Sequence, residues 1–176
     1  VRRPPGATLV DGHRLVLLGP PDVSLSGSLW GATRDARGGV LAPLDLGLHQ
    51  RVVDLVRGLV VSGRVDGVHD VSAGGLGVAI AEMVSRSGVG AHLARVDDPR
   101  ALFGEGPSRV VLVVDPECLS DVLAAAEAAA VPTTRIGLAT GDRLIVKGLL
   151  DVSVDDVAAA HTDRLPEALG AGTTNR

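Results

Sequence analysis

Aromatic residues are scarce in this sequence. Its 176 residues include one tryptophan, one phenylalanine and no tyrosine, so aromatics make up 1% of the chain. The core must therefore be aliphatic, because hydrophobic residues still account for 45% of the sequence. Proteins that bind single-stranded nucleic acids stack the bases on aromatic side chains. The scarcity of aromatics and the net charge of -4 both predict that nucleic acid is not a partner.

Long hydrophobic runs are also missing. A membrane-spanning helix needs about 20 mostly apolar residues, and no stretch of this sequence approaches that length. The first residues, Val1 to Pro5, lack the apolar segment of a signal peptide. We therefore expect a cytoplasmic protein with no membrane partner. The start at Val1 rather than methionine suggests a fragment, a processed chain or an unusual start codon.

Residue patterns typical of metal or nucleophile chemistry are absent. Cys118 is the single cysteine, which excludes an internal disulfide and a cysteine-based metal site. The five histidines include no pair at i, i+2 or i, i+4 spacing that would place two rings on one ion. A Gly-x-Ser-x-Gly elbow is missing as well. We predict neither a metal site nor a catalytic residue in this chain.

Aliphatic runs alternate with segments of helical periodicity. Short β-branched runs predict three strands, the last of them buried on both faces: Arg14–Leu18, Val65–His69 and Arg109–Val114. Apolar spacing and capping residues predict four helices: one from about Leu48 to Gly63, one closed by Ser87 and Gly88, one from Asp115 to about Ala130, and one capped by Ser153 and Asp156. A hairpin is predicted where Thr133–Leu138 and Arg143–Val146 flank a short turn.

This alternation predicts an α/β (α+β) fold. We expect a two-layer sandwich in which a mixed β-sheet carries helices on one face. The predicted hairpin is the reason to favour a mixed sheet over a purely parallel one. Residues 1–11 are expected to be an N-terminal extension or linker, residues 12–169 one domain, and residues 170–176 a disordered tail.

The stretch from His69 to Leu76 is the most informative segment. It joins a strand to a helix through the carboxylate of Asp70, the hydroxyl of Ser72 and the glycines Gly74 and Gly75. Unpaired backbone N–H groups and the positive end of the helix dipole favour an anion at such a junction. A glycine pair before a helix also fits a plain turn. Both interpretations are open at this point.

Two further loops carry polar groups. The loop Phe103–Arg109 contains Glu105, Ser108 and Arg109 close together, just before a strand. From the start of that strand, Arg109 could bind a phosphate through two hydrogen bonds. The alternative is a surface ion pair between Glu105 and Arg109. The small-residue loop Leu25–Ser28 either approaches a ligand or forms a flexible turn.

In this order along the chain, these segments resemble the C-terminal module of phosphoribosylformylglycinamidine synthase, within the aminoimidazole ribonucleotide synthetase-like superfamily. His69–Met83 is similar to the family's run His-Asp-Val-Ser-Asp-Gly-Gly-Leu-Ala-Val-Ala-Leu-Ala-Glu-Met. Leu25–Ser28 resembles its Leu-Gly-Gly-Ser loop, and Leu102–Arg109 resembles its Leu-Phe-Gly-Glu-Ser-x-Ser-Arg loop. Gly141–Leu144 resembles a late strand of the same module. The resemblance spans most of the chain, from Gly12 to Leu169.

The resemblance implies part of an ATP-dependent carbon-nitrogen ligase of purine biosynthesis. The complete enzyme converts formylglycinamide ribonucleotide to formylglycinamidine ribonucleotide with ammonia from a glutamine amidotransferase subunit. The resemblance implies ATP and Mg in the full enzyme, and N-terminal synthetase modules in the same or a separate chain as partners; a homodimer is compatible with it. The cofactor-binding residues that it implies are Asp70, Ser72, Gly74, Gly75, Ser108 and Arg109.

Several positions depart from the family pattern. Ala73 stands where the family often has aspartate, and Leu29 where it often has glutamate. Ser26 replaces a glycine, and Gly106 and Pro107 replace two polar residues. Since the family's catalytic histidine and most of its metal ligands lie in the preceding modules, we expect the isolated chain to be inactive and to supply scaffold and an auxiliary nucleotide pocket. The alternative is a stand-alone nucleotide-binding, phosphate-binding or assembly module of the superfamily without ligase activity.

Overall fold

A computed structural model describes residues 4–21, 23–36 and 38–162. In this part of the chain, seven strands form one mixed sheet with helices against both faces. The strands are β1 (Arg14–Leu18), β2 (Gly67–Asp70), β3 (Ala91–Leu93), β4 (Val110–Val114), β5 (Thr133–Ala139), β6 (Arg143–Val146) and β7 (Leu150–Ser153). The α-helices are α1 (Leu29–Ala32), α2 (Leu46–Val61), α3 (Gly75–Ser87), α4 (Pro99–Phe103), α5 (Leu119–Ala128) and α6 (Val154–Thr162), with a 3-10 helix at Pro116–Cys118 before α5.

The sheet is mixed, as predicted. Its strand order is β2-β4-β1-β5-β3-β6-β7, so β2 and β7 form the two edges. β1 pairs antiparallel with β4 and β5, and β2 pairs antiparallel with β4. β3 pairs antiparallel with β5 but parallel with β6. The parallel pair makes the sheet mixed, whereas the prediction of a mixed sheet rests on a hairpin.

The predicted hairpin between β5 and β6 is wrong, because β3 lies between these two strands. The turn after β5 forms backbone hydrogen bonds with Gly90, the residue that precedes β3. Gly90 N–H donates to the carbonyl of Gly141 at 2.7 Å, and Thr140 N–H donates to the carbonyl of Gly90 at 2.8 Å. A turn signal is local and does not reveal a strand inserted from elsewhere. The hairpin present in the structure joins β6 to β7.

Helices cover both faces of the sheet, which corrects the expected two-layer arrangement. Successive side chains of a strand point to opposite faces. Leu15 of β1 and Val113 of β4 pack with α3, α4 and α6, while Val16 and Leu112 pack with α2 and α5. Strands buried on both sides require a helical layer on each side. The correct prediction that β4 is buried on both faces was therefore incompatible with helices on one face.

Two helical segments begin with the capping side chains that the sequence predicts. Ser153 Oγ accepts a hydrogen bond from Asp156 N–H at 3.1 Å at the start of α6. Asp115 Oδ1 accepts one from Glu117 N–H at 2.8 Å. That second cap opens the 3-10 helix, which leads into α5. The caps satisfy N–H groups that have no partner within the helix.

The residues before β1 lie along the sheet. Leu9 is buried in the same core as α3, and Val68 N–H donates to the carbonyl of Gly6 at 3.1 Å. The domain boundary at residue 12 remains a prediction, and the predicted tail at residues 170–176 lies outside the described residues. Among the helices of the described ranges, none is both long and apolar enough to span a membrane.

The start of α3 lies very close to the end of α4. Gly75 has a φ of +71°, and a Cβ atom placed there would lie 2.8 Å from the carbonyl oxygen of Gly104. Gly88, just after α3, has a similar φ of +68°, but a Cβ atom there would meet nothing within 4 Å. The two glycines share a left-handed backbone and differ in crowding. Comparing them separates the free-energy cost of a side chain in the left-handed region from the cost of steric crowding.

We expect Gly75→Ala to destabilise the fold more than Gly88→Ala does. Both substitutions place a side chain in the left-handed region, which costs about 1–2 kcal/mol. At Gly75 the methyl group also displaces backbone atoms of the neighbouring loop, which adds about 1–3 kcal/mol. Urea unfolding monitored by circular dichroism measures both losses. Equal losses would show that the contact between α3 and the loop tolerates a methyl group.

Candidate functional site

Three loops with polar residues meet at one end of the sheet. They follow β1, follow β2 and precede β4, respectively. Val110, the first residue of β4, pairs with Leu18 at the end of β1 and with Asp70 at the end of β2. Because both pairings are antiparallel, the three loops leave the sheet on the same side. The three polar segments predicted from the sequence therefore lie together and form one candidate site.

Glu105 connects these loops. Its Oε1 atom accepts a hydrogen bond from Leu29 N–H at 2.7 Å and another from Gly74 N–H at 2.8 Å. Leu29 is the first residue of α1 and Gly74 caps α3, so one carboxylate oxygen serves the starts of two helices. Glu105 N–H donates in turn to the carbonyl of Ser24 at 3.1 Å. Negative charge at a helix N-terminus is stabilising, and here the chain supplies that charge itself.

The glycine turn has its own internal geometry. Gly75 N–H donates to the carbonyl of Ser72 at 3.0 Å, and Ser72 is exposed. The side chain of Asp70 is 76% exposed, whereas that of His69 is 12% exposed. His69 Nε2 lies 3.0 Å from Glu82 Oε2 on α3. The two adjacent side chains therefore differ, because His69 lies against α3 whereas Asp70 is exposed.

Ser108 links the third loop to α2. Its backbone has a φ of +63°, which is unusual for a residue other than glycine. Its Oγ atom lies 3.0 Å from Nδ1 of His49, near the start of α2. Sequence reasoning missed His49, because no local signal connects two residues that are 59 positions apart.

Arg109 lies beneath the same loop. It is 3% exposed, and its Nη1 atom donates to the carbonyl of Gly104 at 3.2 Å. Burial lowers the pKa of its guanidinium to about 10, so the group remains charged at neutral pH. The alternative of a surface ion pair with Glu105 is wrong, because Arg109 is buried and Glu105 caps two helices instead.

A cavity of about 820 Å³ opens beside the loops, between α2 and β2. This volume lies within the range of small-molecule sites. Among the predicted cofactor-binding residues, Asp70, Ser108 and Arg109 line the cavity, whereas Ser72, Gly74 and Gly75 do not. The apolar wall is made mainly of valines, which include Val52, Val53, Val56, Val60, Val68 and Val71. The site thus combines a mostly aliphatic wall with a few polar groups.

Removing the Glu105 carboxylate should loosen two loops at once. We expect Glu105→Ala to lower the free energy of unfolding by about 1–3 kcal/mol, because two N–H groups lose a charged acceptor. Glu105→Gln keeps a carbonyl oxygen and should lose less. Hydrogen exchange of the Leu29 and Gly74 amides should accelerate together in Glu105→Ala. If their exchange rises no more than in the control Glu117→Ala, which alters an exposed carboxylate, Glu105 does not connect the loops.

Comparison with known proteins places these features in a family. Residues 10–148 match the family described as AIR synthase related protein, C-terminal domain. Phosphoribosylformylglycinamidine synthase subunit PurL from a Nocardioides species is 37% identical over 171 residues, which are 96% of this chain and 22% of that protein. The chain therefore spans about a fifth of the length of the relative.

Solved structures share the fold. PurL of Thermotoga maritima in complex with FGAR superimposes with a TM-score of 0.71 at 19% identity, over 88% of this chain and 29% of that one. The same protein in complex with ATP gives a TM-score of 0.69 at 18% identity, over 88% and 27%. The family match covers most of the chain, and the fold of the solved structures agrees with that match. The chain therefore belongs to the family of C-terminal domains of AIR synthase related proteins.

Proposed function

We propose that this chain is the C-terminal domain of a cytoplasmic phosphoribosylformylglycinamidine synthase. The complete enzyme is an ATP- and glutamine-dependent ligase that converts formylglycinamide ribonucleotide to formylglycinamidine ribonucleotide in purine biosynthesis. The observation that carries this proposal is 37% identity to a protein of that name across 96% of the chain. The meeting of all three family-like loops at one end of the sheet supports it.

The proposed role of the site is to border a bound nucleotide. The cavity between α2 and β2 is large enough for a nucleotide and has an apolar wall for a base. The hydroxyl of Ser108 can donate to a phosphate oxygen, and the exposed carboxylate of Asp70 can accept a hydrogen bond from a ribose hydroxyl. Ser72, Gly74 and Gly75 shape the adjoining turn, and Arg109 supports the loop from beneath. ATP, when bound to the complete enzyme, supplies the phosphoryl group that activates the substrate amide.

We propose no magnesium site within this chain alone. Within the described ranges, no group of three or more His, Cys, Asp or Glu side chains is arranged to hold a metal ion. Glu105, whose carboxylate contacts the glycine turn, already accepts two backbone hydrogen bonds. We therefore propose that the metal ligands of the complete enzyme come from its other modules.

An exposed apolar segment supports the proposed partners. Leu41, Leu44 and Leu46 are 69%, 55% and 70% exposed, which is unusual for a run of leucines. A Cβ atom placed on Gly27 would lie 2.6 Å from Leu41 Cδ2, so the segment lies next to the candidate site. We propose that the N-terminal synthetase modules cover this segment and that the glutamine amidotransferase subunit joins the same assembly.

A chimeric enzyme tests the proposed function. This chain replaces the matching segment of the Nocardioides relative, and formylglycinamidine ribonucleotide formation is measured with an ammonium salt and ATP. We expect the chimera to be active, and both the truncated relative and the isolated chain to be inactive. In the chimera, Asp70→Ala should raise the KM for ATP about tenfold, because the ribose hydroxyl loses its charged acceptor. Asp97→Ala, which removes an exposed carboxylate elsewhere, serves as the control.

Two outcomes would contradict the proposal. The first is ATP turnover by the isolated chain, and the second is a chimera that folds and assembles but stays inactive. Calorimetric titration of the isolated chain with ADP and Mg addresses the alternative of a stand-alone module. Saturable binding combined with an inactive chimera would favour that alternative.

The exposed leucines provide a separate test of the proposed partners. We expect the isolated chain to self-associate and to bind a hydrophobic dye, and the triple substitution of Leu41, Leu44 and Leu46 by serine to weaken both. Stability should change by only about 0.5 kcal/mol per substitution, because these side chains are exposed. Analytical ultracentrifugation and dye fluorescence measure the effect, with Leu149→Ser as the control. A monomeric wild type without dye binding would contradict the proposed interface.

A further inference from the structure

The large cavity between α2 and β2 has a basic lining. Its arginines are Arg57, Arg86 and Arg109, whereas Asp70 is the one acidic residue of the lining within the described ranges. A cavity lined mainly by charges of one sign attracts ligands of the opposite sign. The lining therefore favours a ligand that carries an anionic group.

The three arginines differ in how they are held. Arg109 is 3% exposed and donates to the carbonyl of Gly104, so it has little surface to offer a ligand. Arg57 is exposed and belongs to none of the described ion pairs. Fixing such a long side chain in one conformation costs entropy. Arg86 differs from both, because it is accessible and already held in place.

Glu82 holds Arg86 beside the cavity. Arg86 Nη2 donates to Glu82 Oε2 at 3.0 Å, one helical turn earlier on α3. The side chain of Arg86 nevertheless remains 44% exposed. A guanidinium carries several N–H donors in a planar fork that suits phosphate oxygens. The contact with Glu82 occupies one of these donors, so others remain for a ligand.

His69 connects Glu82 to the sheet. Its Nε2 atom lies 3.0 Å from the same Glu82 Oε2 atom, and its Nδ1 atom lies 2.7 Å from the carbonyl oxygen of Asp70. Both oxygens are acceptors, so both contacts are hydrogen bonds when the ring carries two protons. The His69 ring, which is 12% exposed, thus ties the carboxylate of α3 to strand β2.

We propose that Arg86 binds an anionic group of the ligand in the large cavity, and that Glu82 and His69 are its positioning residues. The inference rests on the proposed function, because it names the residue that takes a phosphate group of the nucleotide. A side chain that is held in place before binding loses less entropy when the ligand arrives. A phosphate also offsets the excess of positive charge in the lining.

Titration of the full chain with inorganic pyrophosphate, followed by NMR at constant ionic strength, tests this anion site without requiring ligase activity. We expect the side-chain N–H signal of Arg86 and the ring signals of His69 to shift saturably. Arg86→Gln should weaken the binding about tenfold, because hydrogen bonds to a charged group are lost. The control Arg51→Gln, which removes an exposed arginine of α2 outside the cavity lining, should change the affinity by no more than about twofold, because salt screens distant charges.

Glu82→Ala separates positioning from simple charge. Removal of a carboxylate makes the cavity more positive, so electrostatics alone predicts tighter binding of pyrophosphate. Loss of positioning predicts the opposite, and we expect about threefold weaker binding because Arg86 is no longer held. His69→Gln, whose side-chain N–H group can reach the place of Nε2, should bind pyrophosphate more tightly than the shorter His69→Asn.

Two results would overturn the assignment of Arg86. The first is a wild-type spectrum in which the signals of Arg86 and His69 do not respond to pyrophosphate, a measurement that needs no variant to fold. The second is equal affinity in Arg86→Gln and Arg51→Gln, which would mean that the contact between Arg86 and Glu82 only stabilises α3. Tighter binding by Glu82→Ala would overturn the positioning role.

The chimeric enzyme judges the ligase proposal separately. Pyrophosphate binding at Arg86 together with an inactive chimera would refute the ligase and leave the anion site standing. An active chimera without these NMR shifts would support the ligase and refute the anion site.

Discussion

The carboxylate of Glu105 is the contact on which the geometry of the candidate site depends. One of its oxygens accepts hydrogen bonds from the backbone at the starts of α1 and α3, and these two helix starts are far apart in sequence. A charged acceptor shared by two helix ends fixes both ends to the same point. The absence of a side chain at Gly75 lets α3 approach this point. The loops after β1 and β2 therefore take their positions from the loop before β4.

That third loop carries opposite charges in two different environments. Glu105 serves the helix ends near the surface, whereas Arg109 lies buried under the loop and donates to the carbonyl of Gly104. Ser108, with its positive φ, precedes the buried arginine and contacts His49 of α2. The short segment thus joins α1, α2 and α3 to the centre of the sheet.

Local signals in the sequence were enough for most elements but not for their arrangement. Periodicity and caps locate α2, α3 and α6 because they depend on neighbouring residues. Strand β3 escaped prediction since three residues give no periodicity, and its insertion between β5 and β6 is a long-range pairing. The all-aliphatic β4 implies helices on both faces, whereas the two-layer expectation rests on the alternation of strands and helices.

The same distinction applies to the site. Asp70, Ser108 and Arg109 are predicted from residue type, loop position and the family resemblance; all three line one cavity, and their part in binding stays a prediction. The role of Glu105 was missed, because the sequence shows that a glycine turn favours an anion but not which anion occupies it. A carboxylate can meet that need as well as a phosphate can.

The internal cap changes where a ligand can be recognised. The N–H of Gly74 is engaged by Glu105, so an incoming phosphate gains that donor only by displacing a carboxylate that also holds α1. Displacement would release two loops together, which makes it costly. Recognition from the cavity side, through Ser108, Asp70 and the aliphatic wall of α2, leaves the cap intact. The glycine turn thus forms the fixed frame of the proposed pocket, and we propose that the ligand contacts come from the residues around it.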